Sequence, residues 1–482
     1  MKEKGKKMKT TDILILGAGG SGMAAAIAAK EKGKEVVILE KAKTCGGNSV
    51  YPRGGGFSSG GTKYQELAPN PFGVQEVYDN IMDYTHHRAN GPLLKAFLEN
   101  TTDTIEWLEG MGIEFDNVPD MFVFFTTVAG GYPTGVPIKG NGARVVKVFT
   151  EKCKELGIEI ITEARAKDLI MQEDKCIGAV YEKDGREERI EAGAVIIATG
   201  GFGANAEMVK EYTGFDLYKN MHPITDVQVT GDGIQMAWRA GAAKEGMGCQ
   251  IIFGVNGPGK HSNGMPSLAQ EPQLIVDQAG HRFMNENEPN PTYKGNTIAR
   301  QAGGVGYLIF DETLRKGMEE DGFTVPNMFF PDPTLTNFDA LLEKNPDWHK
   351  ADTLEGLAEA AGLKTEVFLA TVNRYNEICD LWEDPDFGKG GGALNEIRTA
   401  PFYAVQLTPQ MYGTMGGIRV NEHLQVVNND LEPIPGLYAV GYDGNGCLGS
   451  PVPDYSMKTP GLTFGFALNS GKMAGRHAAE EI

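Results

Sequence analysis

No run of 18 consecutive apolar residues occurs in the chain, so the sequence offers no helix long enough to span a membrane. Cysteine is scarce: Cys45, Cys153, Cys176, Cys249, Cys379 and Cys447 are scattered without a CxxC, a CxxCH or a metal-like cluster. That spacing argues against an iron–sulfur site and a c-type haem, and it suits reduced thiols in a cytoplasm. Positive charge is short as well. Against 64 Asp and Glu stand 45 Lys and Arg, a formal charge of −19 that opposes an electrostatic hold on nucleic acid or anionic lipid. His222, His261 and His281 lack ligand spacing, and no metal is expected. Solenoid repeats are absent. The basic start "MKEKGKKMKTTDILILGAGG" has the order of a signal peptide, but Asp12 and the glycines fit a short buried strand at 13–16 behind a solvated tail.

What the chain has is glycine, 64 residues of it, clustered at 17–22, 46–61, 130–142, 200–203, 254–264, 389–392 and 441–449. Such clusters let a backbone turn sharply or approach a ligand closely. Between them strand and helix patterns alternate, as in a doubly wound α/β protein. "EVVILE" reads as the second strand of the first βαβ unit, "IEIITEA" and "AVIIATGG" as later buried strands and "GLYAVG" as a strand near the end. The segment 246–355 is richer in Asn, Pro and Gly and poorer in regular apolar periods. It reads as an inserted α+β capping domain that divides a Rossmann-like domain into residues 1–245 and 356–482.

Gly17, Gly19, Gly20, Ser21 and Gly22 fall in a GxGxxG pattern directly after a strand and before the small-residue helix "GMAAAIAAKEKG". Glu40 follows at the end of the next strand, where it can accept ribose hydroxyls; this context makes the fingerprint strong. The glycines bring a pyrophosphate to the helix N-terminus, whose amides favour an anion. A second glycine-rich loop, "KAKTCGGNSVYPRGGGF" at 41–57, comes at once, and a nicotinamide-binding Rossmann domain has no need of it.

That loop, together with "AVIIATGGFGAN", "TGDGIQMAWRAGA", "DQAGHRFMNE", "TMGGIRVNEHLQVV" and "PIPGLYAVGYDGNG" in this order, resembles the FAD-dependent fumarate reductase and 3-ketosteroid dehydrogenase superfamily, which is succinate dehydrogenase flavoprotein-like. The resemblance covers nearly the whole chain. It implies FAD held by Lys41, Gly47, Asn48, Ser49, Gly54 and Gly55 of the second loop. It further implies Ala166 at the adenine end, Thr199, Gly200 and Asp232 flanking the dinucleotide, and Asp443 at the ribityl or pyrophosphate region. Gly461 and Leu462 would open a helix whose amides face the flavin pyrimidine, where negative charge gathers on reduction. Ser49 occupies the place of the histidine that carries covalent flavin in some relatives, so the FAD is expected to be non-covalent.

In this superfamily the flavin exchanges hydride with one carbon of an activated C–C unit while a protein group moves the neighbouring proton. Fumarate reductases place an arginine a few residues after "RF.NE"; here Tyr293 and Lys294 stand there. Tyr412 and Gly413 replace the histidine before "TMGG", and Tyr455, Ser456 and Lys458 stand where a further arginine is found. A clamp for two carboxylates is missing. Tyr293 and Tyr455 resemble the tyrosine pair of the ketosteroid dehydrogenases, one able to polarise a ketone and the other to relay a proton. Lys294 and Lys458 could lower a phenol pKa by proximity. The aromatic cluster Phe122, Phe124, Phe125 and Tyr132 lines an apolar pocket or packs a core. Arg282 is read as scaffold.

These residues imply an oxidoreductase acting on a C=C bond conjugated to a carbonyl, with a steroid-like neutral enone as substrate. The alternatives are a monocarboxylate enoate, such as an aryl or imidazole acrylate, or a flavin electron carrier. No haem or iron–sulfur module is evident, so a separate electron donor or acceptor is expected.

Overall fold

A computed structural model describes residues 9–50, 56–58, 60–67, 71–115, 134–248, 250–256, 266–288, 290–323, 334–447 and 461–482. Gly54, Gly55, Phe122, Phe124, Phe125, Tyr132, Tyr455, Ser456 and Lys458 lie outside the described residues. The chain divides into two units, the first formed by Met1–Gly214, Thr225–Gln250 and Gly413–Ile482, the second by Phe215–Ile224 and Ile251–Tyr412.

The first unit is built on a mixed sheet. Strand β1 (Lys9–Leu16) pairs in parallel with β2 (Val36–Leu39) on one side, and β2 pairs with β3 (Glu159–Ile161). The hairpin β4 (Arg165–Gln172) and β5 (Lys175–Lys183) leads into β6 (Arg186–Ile197), which returns parallel to β1. Strand Pro433–Ala439 then adds parallel to β6. Ile13–Leu16 and Val36–Leu39 are buried along their whole length, as central parallel strands with both faces covered must be.

Helix α1 (Gly20–Glu31) connects β1 to β2, and Gly20–Ala29 are buried all round. A helix without a polar face needs cover on every side. The C-terminal helix Phe464–Glu481 supplies it by backbone approach. A Cβ at Gly471 would stand 2.2 Å from the Ser21 carbonyl oxygen, and one at Gly475 2.2 Å from that of Ala25. Glycines four apart thus form the seam between the two helices.

The second unit holds a sheet in the order Gln250–Asn256, Phe402–Thr414, Gly306–Asp311, Leu274–Val276, with Trp348–Ala351 and His222–Pro223 also pairing with Phe402–Thr414. Helices Leu354–Ala361 and Thr365–Leu381 bury Leu357, Phe368, Val372 and Tyr375 against Leu274, Val276 and Ile309. Residues 356–412 therefore sit with the second unit, whereas the sequence reading returned them to the first. The cause is strand pairing: Phe402–Leu407 aligns antiparallel with Gly306–Asp311 and cannot be separated from that sheet. Among the described residues no helix is long and apolar enough to cross a membrane.

Candidate dinucleotide site

The fingerprint glycines divide by task. Gly17 takes φ +113, and a Cβ there would lie 2.3 Å from the Ala198 carbonyl oxygen; one at Gly22 would lie 2.0 Å from that of Gly17. These two permit the crossing of strand, turn and helix. Gly19 differs, its nearest contacts being Gly46 O and Ser49 Oγ at 3.8 Å, and it lines a cleft. The backbone N–H of Gly20, at the start of α1, donates to Ser49 Oγ at 2.8 Å. Ser49 thereby joins the second glycine loop to the helix N-terminus.

That cleft encloses about 1100 Å³, open solvent at its mouth included. Of the residues expected from sequence, its walls take Gly17, Gly19, Ser21, Glu40, Lys41, Gly47, Asn48, Ser49, Ala166, Thr199, Gly200 and Asp232. Glu40 is held by two main-chain donors, Ala18 N to Oε2 at 2.8 Å and Ala42 N to Oε1 at 2.7 Å. Each carboxylate oxygen keeps acceptor capacity for a hydroxyl. Asp232 accepts both Arg165 Nε and Nη2, at 3.0 and 2.9 Å, and Lys41 Nζ at 3.1 Å. Burial pushes the Asp232 carboxyl upward, but the Arg165 guanidinium and the Lys41 ammonium outweigh it and hold the group below its ordinary value.

Five of the expected residues among those described do not line the cleft: Gly20 and Gly22, placed above, and Asp443, Gly461 and Leu462. Asp443 is fully buried. It accepts the N–H groups of Thr199, Gly200 and Gly201, with Gly200 and Gly201 at 2.9 Å, and the Thr199 hydroxyl at 3.1 Å. Those consecutive amides, exposed by positive φ at Gly200 and Gly201, need a buried acceptor. Burial raises the Asp443 carboxyl and the amides draw it back. Its neighbour Tyr442 is the residue on the cleft wall. Gly461 and Leu462 form the turn before the C-terminal helix, and the Leu462 carbonyl accepts Asn445 Nδ2 at 3.0 Å. Phe464 and Ala467 are the cleft residues of that helix.

Sequence reasoning also missed Asp226, Gln228, Val229 and Thr230, which line the cleft just ahead of Asp232. The signal was present in "DVQVTGDG", which runs without a break into an acid already singled out.

In the second unit, helix Pro291–Ala299 starts with Asn290 as its cap, the side chain accepting Thr292 N at 3.0 Å, and with proline in its first turn. It carries Tyr293, half-buried, and Lys294, fully buried. Lys294 Nζ donates to the Gln270 carbonyl at 3.1 Å. Burial lowers its pKa to about 8, against the pull of Glu286 and Glu271. Arg282 pairs with Glu286 at 2.8 and 2.9 Å and with Asp384 at 2.7 Å, between the rings of Tyr375 and Phe387. Lys389 completes this cluster, 3.3 Å from Glu286 and 2.6 Å from the Tyr375 hydroxyl. No group of three or more His, Cys, Asp or Glu among the described residues could hold a metal ion.

A helix N-terminus beside an open glycine, an acid at the end of the second strand and a cleft running on to Phe464 together define a dinucleotide-binding fold. The chain belongs to the FAD binding domain family, whose description matches residues 12–449. It is similar to a vinyl phenol reductase of Lactiplantibacillus plantarum, 31% identical over 98% of this chain and 97% of that one. It is 29% identical to an NADH:fumarate oxidoreductase of Klebsiella pneumoniae over 92% of this chain, which spans 46% of that relative. Among solved structures, the open conformation of a flavocytochrome c3 fumarate reductase matches with a TM-score of 0.76 and 26% identity, covering 98% of this chain and 78% of that one. A 3-ketosteroid-Δ4-(5α)-dehydrogenase from Rhodococcus jostii shares the fold, with a TM-score of 0.75 at 22% identity over 99% and 98% of the two chains. The protein is an FAD-dependent oxidoreductase acting on CH–CH groups. The residues present fit the cofactor: Glu40 would take the ribose and the start of α1 the pyrophosphate, with Asn48, Tyr442 and Phe464 on the same cleft wall.

Proposed function

We propose that the protein reduces a C=C bond conjugated to an aromatic ring or a carbonyl in a substrate that carries no pair of carboxylates. The observation that carries this reading is the end-to-end similarity to a vinyl phenol reductase, which matches this chain over nearly the full length of both. The cation inventory of helix Pro291–Ala299 supports it. The helix has no arginine, and its one lysine, Lys294, is buried on main-chain carbonyls. Arg282, the nearest preceding guanidinium, is already engaged by two carboxylates.

When bound, FAD supplies hydride exchange with one alkene carbon. The half-buried Tyr293 is the residue for the proton on the other carbon, a phenol being able both to donate and to accept. Ser49, already accepting from Gly20, stands where a covalent attachment would form, so the cofactor is held non-covalently; acid precipitation should leave all the flavin in the supernatant. Electrons come from a separate donor.

The test is anaerobic photoreduction of the purified protein followed by one alkene at a time: a vinyl phenol, cinnamate, urocanate, a Δ4-3-ketosteroid and fumarate. Reoxidation fastest with the vinyl phenol is expected, and Tyr293→Phe should slow it by roughly 10²-fold or more, the usual loss of a general acid. Fumarate reoxidising the flavin fastest would overturn the reading. A steroid-only response would move the substrate to the neutral enones that the tyrosine pair suggests.

A further inference from the structure

Two side chains of the loop following β2 are engaged with one segment of the opposite wall. Asn48 Nδ2 donates to Thr225 Oγ1 at 2.6 Å, and Asn48 Oδ1 accepts the N–H of Asp226 at 2.6 Å. At the other end Lys41 Nζ donates to Thr230 Oγ1 at 2.9 Å and to Asp232 at 3.1 Å. Residues 226–230 run between these two pins as a strap. Asp226, Gln228, Val229 and Thr230 line the cleft, while Val227, 72% exposed, points out. The strap is also folded on itself, with Gln228 N bonded to Asp226 Oδ1 at 2.8 Å. From behind it is tied to the turn after β6, Ala204 N to Val229 O at 2.9 Å and Gly231 N to Gly201 O at 3.0 Å.

Tethered from behind, the strap keeps its shape; tethered by Asn48 and Lys41, it keeps its distance from the second glycine loop. Both lip residues, Asn48 and Asp226, belong to the cleft wall. A flavin dinucleotide held in the cleft behind this contact would have to part it to leave sideways.

We propose that Asn48 is a positioning residue for FAD retention: its carboxamide latches the 225–230 strap to the second glycine loop, and opening of this latch limits cofactor release. The inference rests on the family's cofactor and gives a specific task to a residue otherwise expected simply to touch it. Asn48 is the pin to test because it is neutral, so its removal leaves the charges around the pyrophosphate unchanged, whereas Lys41 also balances Asp232.

The experiment measures FAD release from the holoprotein by the rise of flavin fluorescence on dilution. Asn48→Ala should release FAD roughly 10- to 30-fold faster, the ratio expected from two net hydrogen bonds. Thr225→Val, which removes one of them, should speed release about 5-fold, and Thr225→Ser, which keeps the hydroxyl, should behave as wild type. The double variant Asn48→Ala/Thr225→Val should be no faster than Asn48→Ala, because both changes break the same contact. FAD should rebind the Asn48→Ala apoprotein at least as fast as wild type, so that the loss of affinity lies in release alone; a merely structural role would slow rebinding as well. Unaltered release in Asn48→Ala, additive effects in the double variant, or slowed FAD rebinding would each overturn the latch. If Asn48→Ala does not fold, the Thr225 pair carries the test. A purified wild-type protein that binds no flavin at all would instead refute the cofactor on which the proposal stands.

Discussion

Glu286 is the acceptor hub of the second unit, and replacing it with glutamine is expected to be among the most damaging isosteric changes in the chain. Its side chain is wholly buried. It accepts Arg282 through two bonds of 2.8 and 2.9 Å, faces Lys389 at 3.3 Å and accepts the Ile275 N–H at 3.3 Å. With Asp384 and Glu271, three carboxylates balance Arg282, Lys389 and Lys294 in this buried region. Glutamine keeps the volume but removes one charge, leaving Arg282 on Asp384 alone and Lys389 on the Tyr375 hydroxyl and the Pro272 carbonyl. Breaking a buried pair by removing one partner costs about 3–5 kcal/mol, because the cation left behind has lost both water and counter-charge. The measurement is a urea titration of wild type, Glu286→Gln, Lys389→Met and the double variant, following the second unit by Trp348 and Trp382 fluorescence after Trp107→Phe and Trp238→Phe in a common background. Each single change should lower stability by several kcal/mol, and the double should cost clearly less than their sum, since neither charge is then orphaned. Additive costs, or a loss below about 1 kcal/mol for Glu286→Gln, would refute the claim that the pocket is held by charge compensation.

Gly22→Ala should abolish FAD retention, because its Cβ would meet the Gly17 carbonyl at 2.0 Å and the main chain there cannot yield without opening the turn; equilibrium dialysis against FAD checks it, and near-native affinity would contradict the packing argument. Lys294 gives a pH dependence of defined sign. Its folded pKa of about 8 lies below the unfolded value near 10.4, so the cost of burying its charge is present in full below pH 8 and is relieved as pH rises toward 10.4. The stability of wild type relative to Lys294→Met should therefore increase by about 3 kcal/mol across that window, measured by urea midpoints at pH 7 and 10.5. A flat difference would mean that Lys294 titrates normally.

Much of the first unit could be read from sequence because its constraints are local. Gly22 is fixed by the Gly17 carbonyl oxygen one turn away in the same βα crossing, and Glu40 lies one strand further on; Gly17 itself is fixed from outside the crossing, by the Ala198 carbonyl at the end of β6. Any sequence that builds this crossing has to place those residue types at those spacings. The second glycine loop was equally visible, and Ser49 turned out to have a partner, Gly20, inside the fingerprint itself. The strap at 225–230 was not visible in the same way. Apart from its continuity with Asp232, nothing local in "TDVQVT" marks it as a wall; its contact with Asn48, 177 residues earlier in the chain, makes it one. The division between the units failed for a related reason. The spacing of Phe368, Val372 and Tyr375 announces a helix face that needs burying, but not the sheet that receives it, and that choice was made by the pairing of Phe402–Asp311 and its neighbours in register.

The cleft wall carries Tyr442 next to the Asp443 that the family resemblance implies at the ribityl or pyrophosphate region. The strand Pro433–Ala439 ends in a tight turn at Gly441–Gly444, with Gly441 at φ +61, so which of two adjacent side chains faces the cleft is decided by the turn and not by strand alternation. The turn sends the carboxylate to the three amides of Thr199–Gly201 and leaves the phenol on the wall, its hydroxyl bonded to Thr463 at the start of the C-terminal helix. Tyr442 also explains Gly413: a Cβ there would stand 3.1 Å from the tyrosine ring and 3.7 Å from Asn48 Nδ2. Gly413, which with Tyr412 stands in place of a histidine in the sequence comparison, is thus closely approached by an aromatic ring 29 residues later. The wall they form together, phenol, carboxamide and bare backbone, carries no charge.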